Sequence, residues 1–164
     1  MKEKVNFLFI IDISGSMYEQ KIESVNASLA ECIAELKQIG HSSEYDIRVS
    51  IMTFAEKMKF CKINEKIDNI GMFHAKVEPQ EDGLYLITLF SCLYKGLKYL
   101  FDSKTIFDGQ QGKNTFIFLF SDARAVDEKA YNAAYEAIQN CIEFKNAIKY
   151  FGYVEVAANL TEKQ

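Results

Sequence analysis

Two strand-length runs carry almost no polar residue, and each leads straight into an aspartate. Val5-Asn6-Phe7-Leu8-Phe9-Ile10-Ile11 ends in Asp12, and Thr115-Phe116-Ile117-Phe118-Leu119-Phe120 ends in Ser121-Asp122. A β-rich run without alternation has no face to give to water, so it fits only a central strand covered on both sides. Helices must therefore flank the sheet, and the rest of the chain supplies their patterns. From Ile22, the positions Val25, Leu29, Cys32, Ile33, Leu36 and Ile39 recur at three- and four-residue steps, with Gly40 placed to end a helix of about five turns. A second stripe after Thr88 comprises Leu89, Cys92, Leu93, Gly96, Leu97 and Leu100, and it breaks in the polar stretch 108–113. Asp127 is placed as the N-cap of a third helix reaching about Lys145, with Ala130, Ala134, Ala137, Ile138, Cys141 and Ile142 on its apolar side.

Between the first two helices, residues 46–54 alternate apolar and polar as a half-covered strand does, and residues 57–63 return beside them as a short hairpin. Residues 64–84 hold the only proline, Pro79, together with Gly71 and Gly83; they read as loop with one short helical or extended piece. A last strand is expected over 148–156, leaving a less protected sheet edge there. Strands alternating with amphipathic helices predict one α/β domain over residues 1–164: a doubly wound, mostly parallel sheet with helices on both faces and one antiparallel edge strand. Ligands in such sheets sit at the carboxyl ends of the strands, where both aspartates fall.

Charge and composition narrow the partners. A formal net charge of -4 and a pI near 5.3 give no long-range attraction to nucleic acid or to an anionic membrane surface. No apolar run approaches the roughly 20 residues that cross a bilayer, and Met1–Lys4 leads into no secretory signal, so a cytoplasmic location is expected. Cys32, Cys61, Cys92 and Cys141 form no C-x-x-C pair and read as free thiols in a reducing compartment.

Asp12-Ile13-Ser14-Gly15-Ser16 lies between the first strand and the first helix, placing one carboxylate and two hydroxyls at the ligand-binding edge. Gly15 allows a turn tight enough for both serines to point one way. An oxygen-only set suits Mg2+ or Mn2+, hard cations that accept near-octahedral oxygens and keep several waters. In isolation the same five residues would be an ordinary turn with helix-capping side chains; the strand before and the helix after favour a metal.

These residues resemble the von Willebrand factor A family, whose metal-ion-dependent adhesion site reads Asp-x-Ser-x-Ser, then a distant Thr, then a distant Asp. Asp12, Ser14 and Ser16 match the first part, Thr88 the threonine and Asp122 the last aspartate. The resemblance, which spans about 4–159, implies that the serines and Thr88 ligate the ion while Asp12 and Asp122 bind it directly or through water. The run from Phe9 to Met17 and the following Ile22-Glu23-Ser24-Val25-Asn26 are closest to the intracellular bacterial branch typified by the tellurium-resistance protein TerY. That branch implies a scaffold or adaptor with protein kinase or phosphatase partners in stress responses. The chain departs from the family pattern where Leu86 and Ile87 replace glycine before Thr88, and where Asp122-Ala123-Arg124-Ala125-Val126-Asp127 lacks the usual glycine and proline. The chain also stops soon after its last predicted strand, so a final strand and helix common in the family are expected to be missing.

Simpler readings account for several other features. Thr88 at a helix start is also a common N-cap, Asp127 is structural, and Arg124 either faces an acidic partner or lies on the surface. His41 and His74 are expected at the solvent. Gly109 to Thr115 has the glycines of a phosphate loop, but their spacing is too short and a strand follows where a helix should begin. The leading function is a binding module, not an enzyme, in which a partner's Asp or Glu completes the metal's coordination. The alternatives are a metal-dependent phosphohydrolase with Asp12 as nucleophile, which lacks the second acid because Ser14 stands in its place, and a structural subunit with a decayed metal site.

Overall fold

β1 (Glu3–Asp12) runs through the middle of a five-stranded sheet, as its uninterrupted apolar sequence demands. The computed structural model describes residues 2–42, 44–77, 89–103, 106, 112–123 and 127–155. The sheet order is β3-β2-β1-β4-β5, with β2 at Tyr45–Phe54, β3 at Met58–Lys66, β4 at Thr115–Ser121 and β5 at Ile148–Tyr153. Every pairing is parallel except β2 with β3, the hairpin expected at one edge. Helices α1 (Gln20–Ser42), α2 (Phe90–Asp102), α3 (Glu128–Gln139) and α4 (Ile142–Asn146) connect the strands. The doubly wound, mostly parallel α/β fold is the one expected.

Alternate residues of β1 feed two separate cores. Phe9 and Ile11 pack with Val25, Leu29, Ile33 and Leu36 of α1, whereas Leu8 and Ile10 pack with Leu93 and Leu97 of α2, Ile138 of α3 and Phe144 of α4. All four β1 side chains are at most 1% exposed, and burial of each is worth about 1.5–3 kcal/mol. Asn26 of α1 is also buried: its amide donates to the Ala75 carbonyl (2.9 Å) and accepts from the Ala75 N–H (2.8 Å). This exchange fastens Ala75 to α1 beyond the 3₁₀ turn at Ile67–Asn69; of the short helical or extended piece expected within 64–84, the helical form is seen there, while β3 extends into the expected loop as far as Lys66.

Three expectations need correction. β2 is not half-covered, because all of Val49–Phe54 is buried between β1, β3 and helices on both faces; its alternation came from Ser50 and Thr53, which stay buried, Ser50 by accepting from the Asn64 N–H at 2.9 Å. Gly40 lies inside α1 rather than beyond its end, since a methyl there would stand only 3.1 Å from Ile67 Cγ2 and the missing side chain makes room. The third helix does not run unbroken to Lys145. It stops at Gln139 and restarts at Ile142, which turns Phe144 into the core and leaves Ala130, Ala137 and Ile142 exposed. His41 is exposed as expected, 2.7 Å from Asp68. The last strand ends at Tyr153, and Ile148, Tyr150, Phe151 and Tyr153 are each about half exposed on an edge that pairs with no further strand among the described residues.

Candidate metal-binding site

β1 neighbours β2 on one side and β4 on the other, so the sheet's switch point lies at the carboxyl ends of β1 and β4. Asp12 and Ser121 come to that point together, because the parallel register pairs Ile11 with Phe120. Ser121 Oγ donates to Asp12 Oδ2 at 2.6 Å, and the Ser14 N–H donates to Asp12 Oδ1 at 2.9 Å. The loop is held from below by the Ile13 N–H, which donates to the Phe54 carbonyl at 2.9 Å, and closes through Met17 N–H to Ser14 O and Tyr18 N–H to Gly15 O. Met17 anchors it in the α1 core, fully buried.

This turn brings the expected residues together. Ser14 Oγ and Ser16 Oγ stand 3.1 Å apart, and Ser16 Oγ donates to Asp122 Oδ1 at 3.1 Å. Asp12, Ser14 and Asp122 are at most 3% exposed, while Ser16 keeps part of its surface in solvent. Thr88 and Arg124, as well as Leu86, Ile87 and Pro79, lie outside the described residues.

Two further residues join the site that sequence reasoning missed. Ser121 holds Asp12, and Lys21, in the first turn of α1, donates from Nζ to Asp122 Oδ2 at 3.0 Å. The signals were a hydroxyl one residue before a strand-end aspartate and a cation in the first turn of a helix, where the helix dipole disfavours it. Asp127 also does something other than expected. It stands at the start of α3 without capping it; its carboxylate instead accepts from the Phe90 N–H (3.1 Å) and the Ser91 N–H (2.9 Å), capping α2 immediately after Leu89.

Electrostatically the site is poised for a cation. Burial pushes the Asp12 carboxyl above its ordinary value; the hydrogen bonds from Ser121 and Ser14 offset part of this, and the Asp122 carboxylate adds to it. Among the described residues no three His, Cys, Asp or Glu side chains gather in a way that could hold a metal. The donors here are two carboxylates and neutral hydroxyls, which suits a hard ion and not zinc. Neighbouring oxygens on an octahedral Mg2+ or Mn2+ lie about 3 Å apart, given metal–oxygen distances of about 2.1 Å. Both oxygen pairs around Ser16 stand at 3.1 Å, and the Lys21 ammonium already places positive charge against Asp122, so the residues fit such an ion.

The missing glycine after Asp122 has left its mark on the backbone. Ala123 has φ 60, in the left-handed region, and its N–H donates to Ser121 Oγ at 3.0 Å. The chain keeps the path that a glycine would take freely, against a steric cost of about 1 kcal/mol. Ala123→Gly should therefore raise stability by roughly 0.5–1 kcal/mol in denaturant melts. Destabilisation of that size would show that the loop does not need this conformation.

A family model described as von Willebrand factor type A domain matches residues 6–159. Among solved structures, VWA2, an ArnB paralog from Sulfolobus acidocaldarius, is similar at 17% identity and TM-score 0.52, covering 91% of this chain and 34% of that one. BatB from Bacteroides thetaiotaomicron shares 16% identity with TM-score 0.50, over 90% of this chain and 65% of that one. An aerotolerance-related membrane protein from Bacteroides fragilis NCTC 9343 shares 12% identity with TM-score 0.54, over 93% and 68%. The chain thus spans about a third of the first and just under two thirds of the second. Comparison with curated protein sequences finds no match. No helix among the described residues is long and apolar enough to cross a membrane.

Proposed function

Because the chain belongs to the von Willebrand factor type A domain family, a general protein-interaction module, we propose that it binds a protein partner through a divalent metal ion held at the β1–β4 switch point. Mg2+ or Mn2+ would be held by Ser14, Ser16 and Thr88, with Asp12 and Asp122 bound directly or through water. When bound, the ion supplies an open coordination position for an acidic side chain of the partner. The observation that carries the reading is the convergence of Ser14, Ser16 and Asp122 at octahedral oxygen spacing, although Ser16 and Asp122 are 106 residues apart in sequence, with Asp12 held in the same turn by the Ser14 N–H.

The chain's own residues prepare that arrangement. Ser121 and the Ser14 N–H fix the two oxygens of Asp12, and Ser16 fixes Asp122. Asp127 and the Leu89 N–H, which donates to the Ala55 carbonyl at 3.0 Å, position the backbone just after Thr88. Binding rather than catalysis is proposed because Ser14 stands where a phosphohydrolase of this layout needs its second acid. The glycine-like turn kept at Ala123 weighs against a decayed site. The sequence from Phe9 to Met17 supports the narrower part of the proposal: a TerY-like, cytoplasmic adaptor or scaffold in a bacterial stress response, with a protein kinase or phosphatase as partner. Arg124 is proposed to meet the acidic partner beside the metal.

Affinity capture on the immobilised chain tests this. A partner retained in Mg2+ should be lost in chelator and with Asp12→Asn, and Thr88→Ala should weaken partner capture more than metal binding. Capture that survives both chelator and Asp12→Asn, or turnover of a phosphoester that depends on Asp12, would defeat the proposal.

A further inference from the structure

Lys21 is placed where a surface lysine has no reason to be. It lies in the first turn of α1, where the helix's N–H groups already carry positive charge and a cation is disfavoured. Side chains of a helix lean toward its N-terminus, which carries the ammonium off the helix face and back into the metal-site loop. Its side chain is only 14% exposed and that of Asp122 only 2%. By contrast, Lys98 with Asp102, at 44% and 62%, lies at the surface, where pairing contributes little, and Arg48 with Asp46 is half-buried at 22% and 27%. A pair this buried is different: taking either charge from its partner leaves the other uncompensated.

We propose that Lys21 is an internal competitor for the metal, an ammonium that neutralises Asp122 in the metal-free domain and so weakens the site's hold on Mg2+ or Mn2+. The inference rests on the metal-binding reading above. Asp12 and Asp122 are both buried at the β1–β4 switch point, and Lys21 sets an ammonium against Asp122. Asp122 is therefore already paired with a positive charge before any metal binds. A divalent ion entering beside Asp122 meets a positive charge and must displace it or bear its repulsion. The metal-loaded site, with two carboxylates, one ammonium and one dication, carries a net positive charge that an acidic group of a partner can neutralise.

The test titrates Mn2+ alone into the full chain by calorimetry, with melting temperatures taken in chelator. Lys21→Gln should bind Mn2+ about tenfold more tightly or better, the scale expected for removing a like charge at close range, and should melt lower without metal. Lys21→Arg keeps the charge and should stay within about twofold of the unsubstituted chain. If Lys21→Gln melts lower but binds Mn2+ no more tightly than the unsubstituted chain does, the lysine is only structural, and the metal reading survives alone. If neither chain binds Mn2+, both readings fall. Should Lys21→Gln be unfolded in chelator, recovery of the folded circular dichroism on adding Mn2+ supports the proposal, and failure to recover overturns it.

Discussion

Adding about 10 mM Mg2+ or Mn2+ should raise the melting temperature by about 3–6 °C, and Asp12→Asn should abolish that rise. The size follows from linkage: with a dissociation constant near 1 mM, a tenfold excess of ligand adds on the order of 1.4 kcal/mol, and a domain of this size moves by about 2–4 °C per kcal/mol. Asn at position 12 keeps an oxygen for the Ser14 N–H but removes the charge that a divalent ion requires. The metal-free variant should melt no lower than the unsubstituted chain, because it no longer buries an ionised carboxylate. The pH dependence gives the same sign. Burial raises the Asp12 carboxyl above its unfolded value, so the folded chain holds its proton longer, and metal-free stability falls as pH rises from the ordinary carboxylate range through that raised value. Metal binding runs the other way and weakens as pH falls and the proton returns. Melting curves unmoved by either metal, or an equal shift in Asp12→Asn, would refute the metal site.

The sheet was legible because its central strands have no alternative. A run such as Phe7 to Ile11 can satisfy itself only between two layers, and Asp12 at its end can only mark the sheet's rim. Misreadings arose where a local pattern had two physical origins. Ser50 and Thr53 gave β2 the look of an amphipathic strand, but a small hydroxyl is buried cheaply when a neighbour such as the Asn64 N–H bonds to it. The helix expected to reach Lys145 carried apolar residues at both three- and four-residue steps, and periodicity alone does not reveal that the chain gains more by breaking at Asn140 and turning Phe144 inward.

The site divides along the same line. Asp12, Ser14 and Ser16 are neighbours in sequence and could be read together, and Asp122 was found because a second strand ended as the first did. Ser121 and Lys21 act across 109 and 101 residues of sequence respectively, through single hydrogen bonds that no local pattern announces. Asp127 is the clearest case. An aspartate before a helix is ordinarily that helix's cap, and only the packing of α2 beside α3 shows that its carboxylate serves the other helix.

That displacement of Asp127 gives the second large expected effect: Asp127→Ala should destabilise the domain by about 2 kcal/mol, or about 4–8 °C in melting temperature. Leu89 at the start of α2 offers no side-chain cap, so the first N–H groups of the helix depend on Asp127, whose two oxygens take one each from Phe90 and Ser91. A carboxylate here also faces the positive end of the α2 dipole, adding to the two hydrogen bonds. Asp127→Asn retains one acceptor and loses the charge, so about half of the effect should remain. The consequence for function follows from the chain itself. Thr88 stands one residue before Leu89, whose N–H is tied to Ala55, so loosening the first turn of α2 frees the segment that carries the expected metal ligand. Mn2+ binding by the folded Asp127→Ala chain should weaken more than its lost stability alone accounts for, whereas Ala123→Gly should leave it intact. If Asp127→Ala melts with the unsubstituted chain, the cap is not what holds α2. If it melts lower yet binds Mn2+ equally well, then α2 does not position the site.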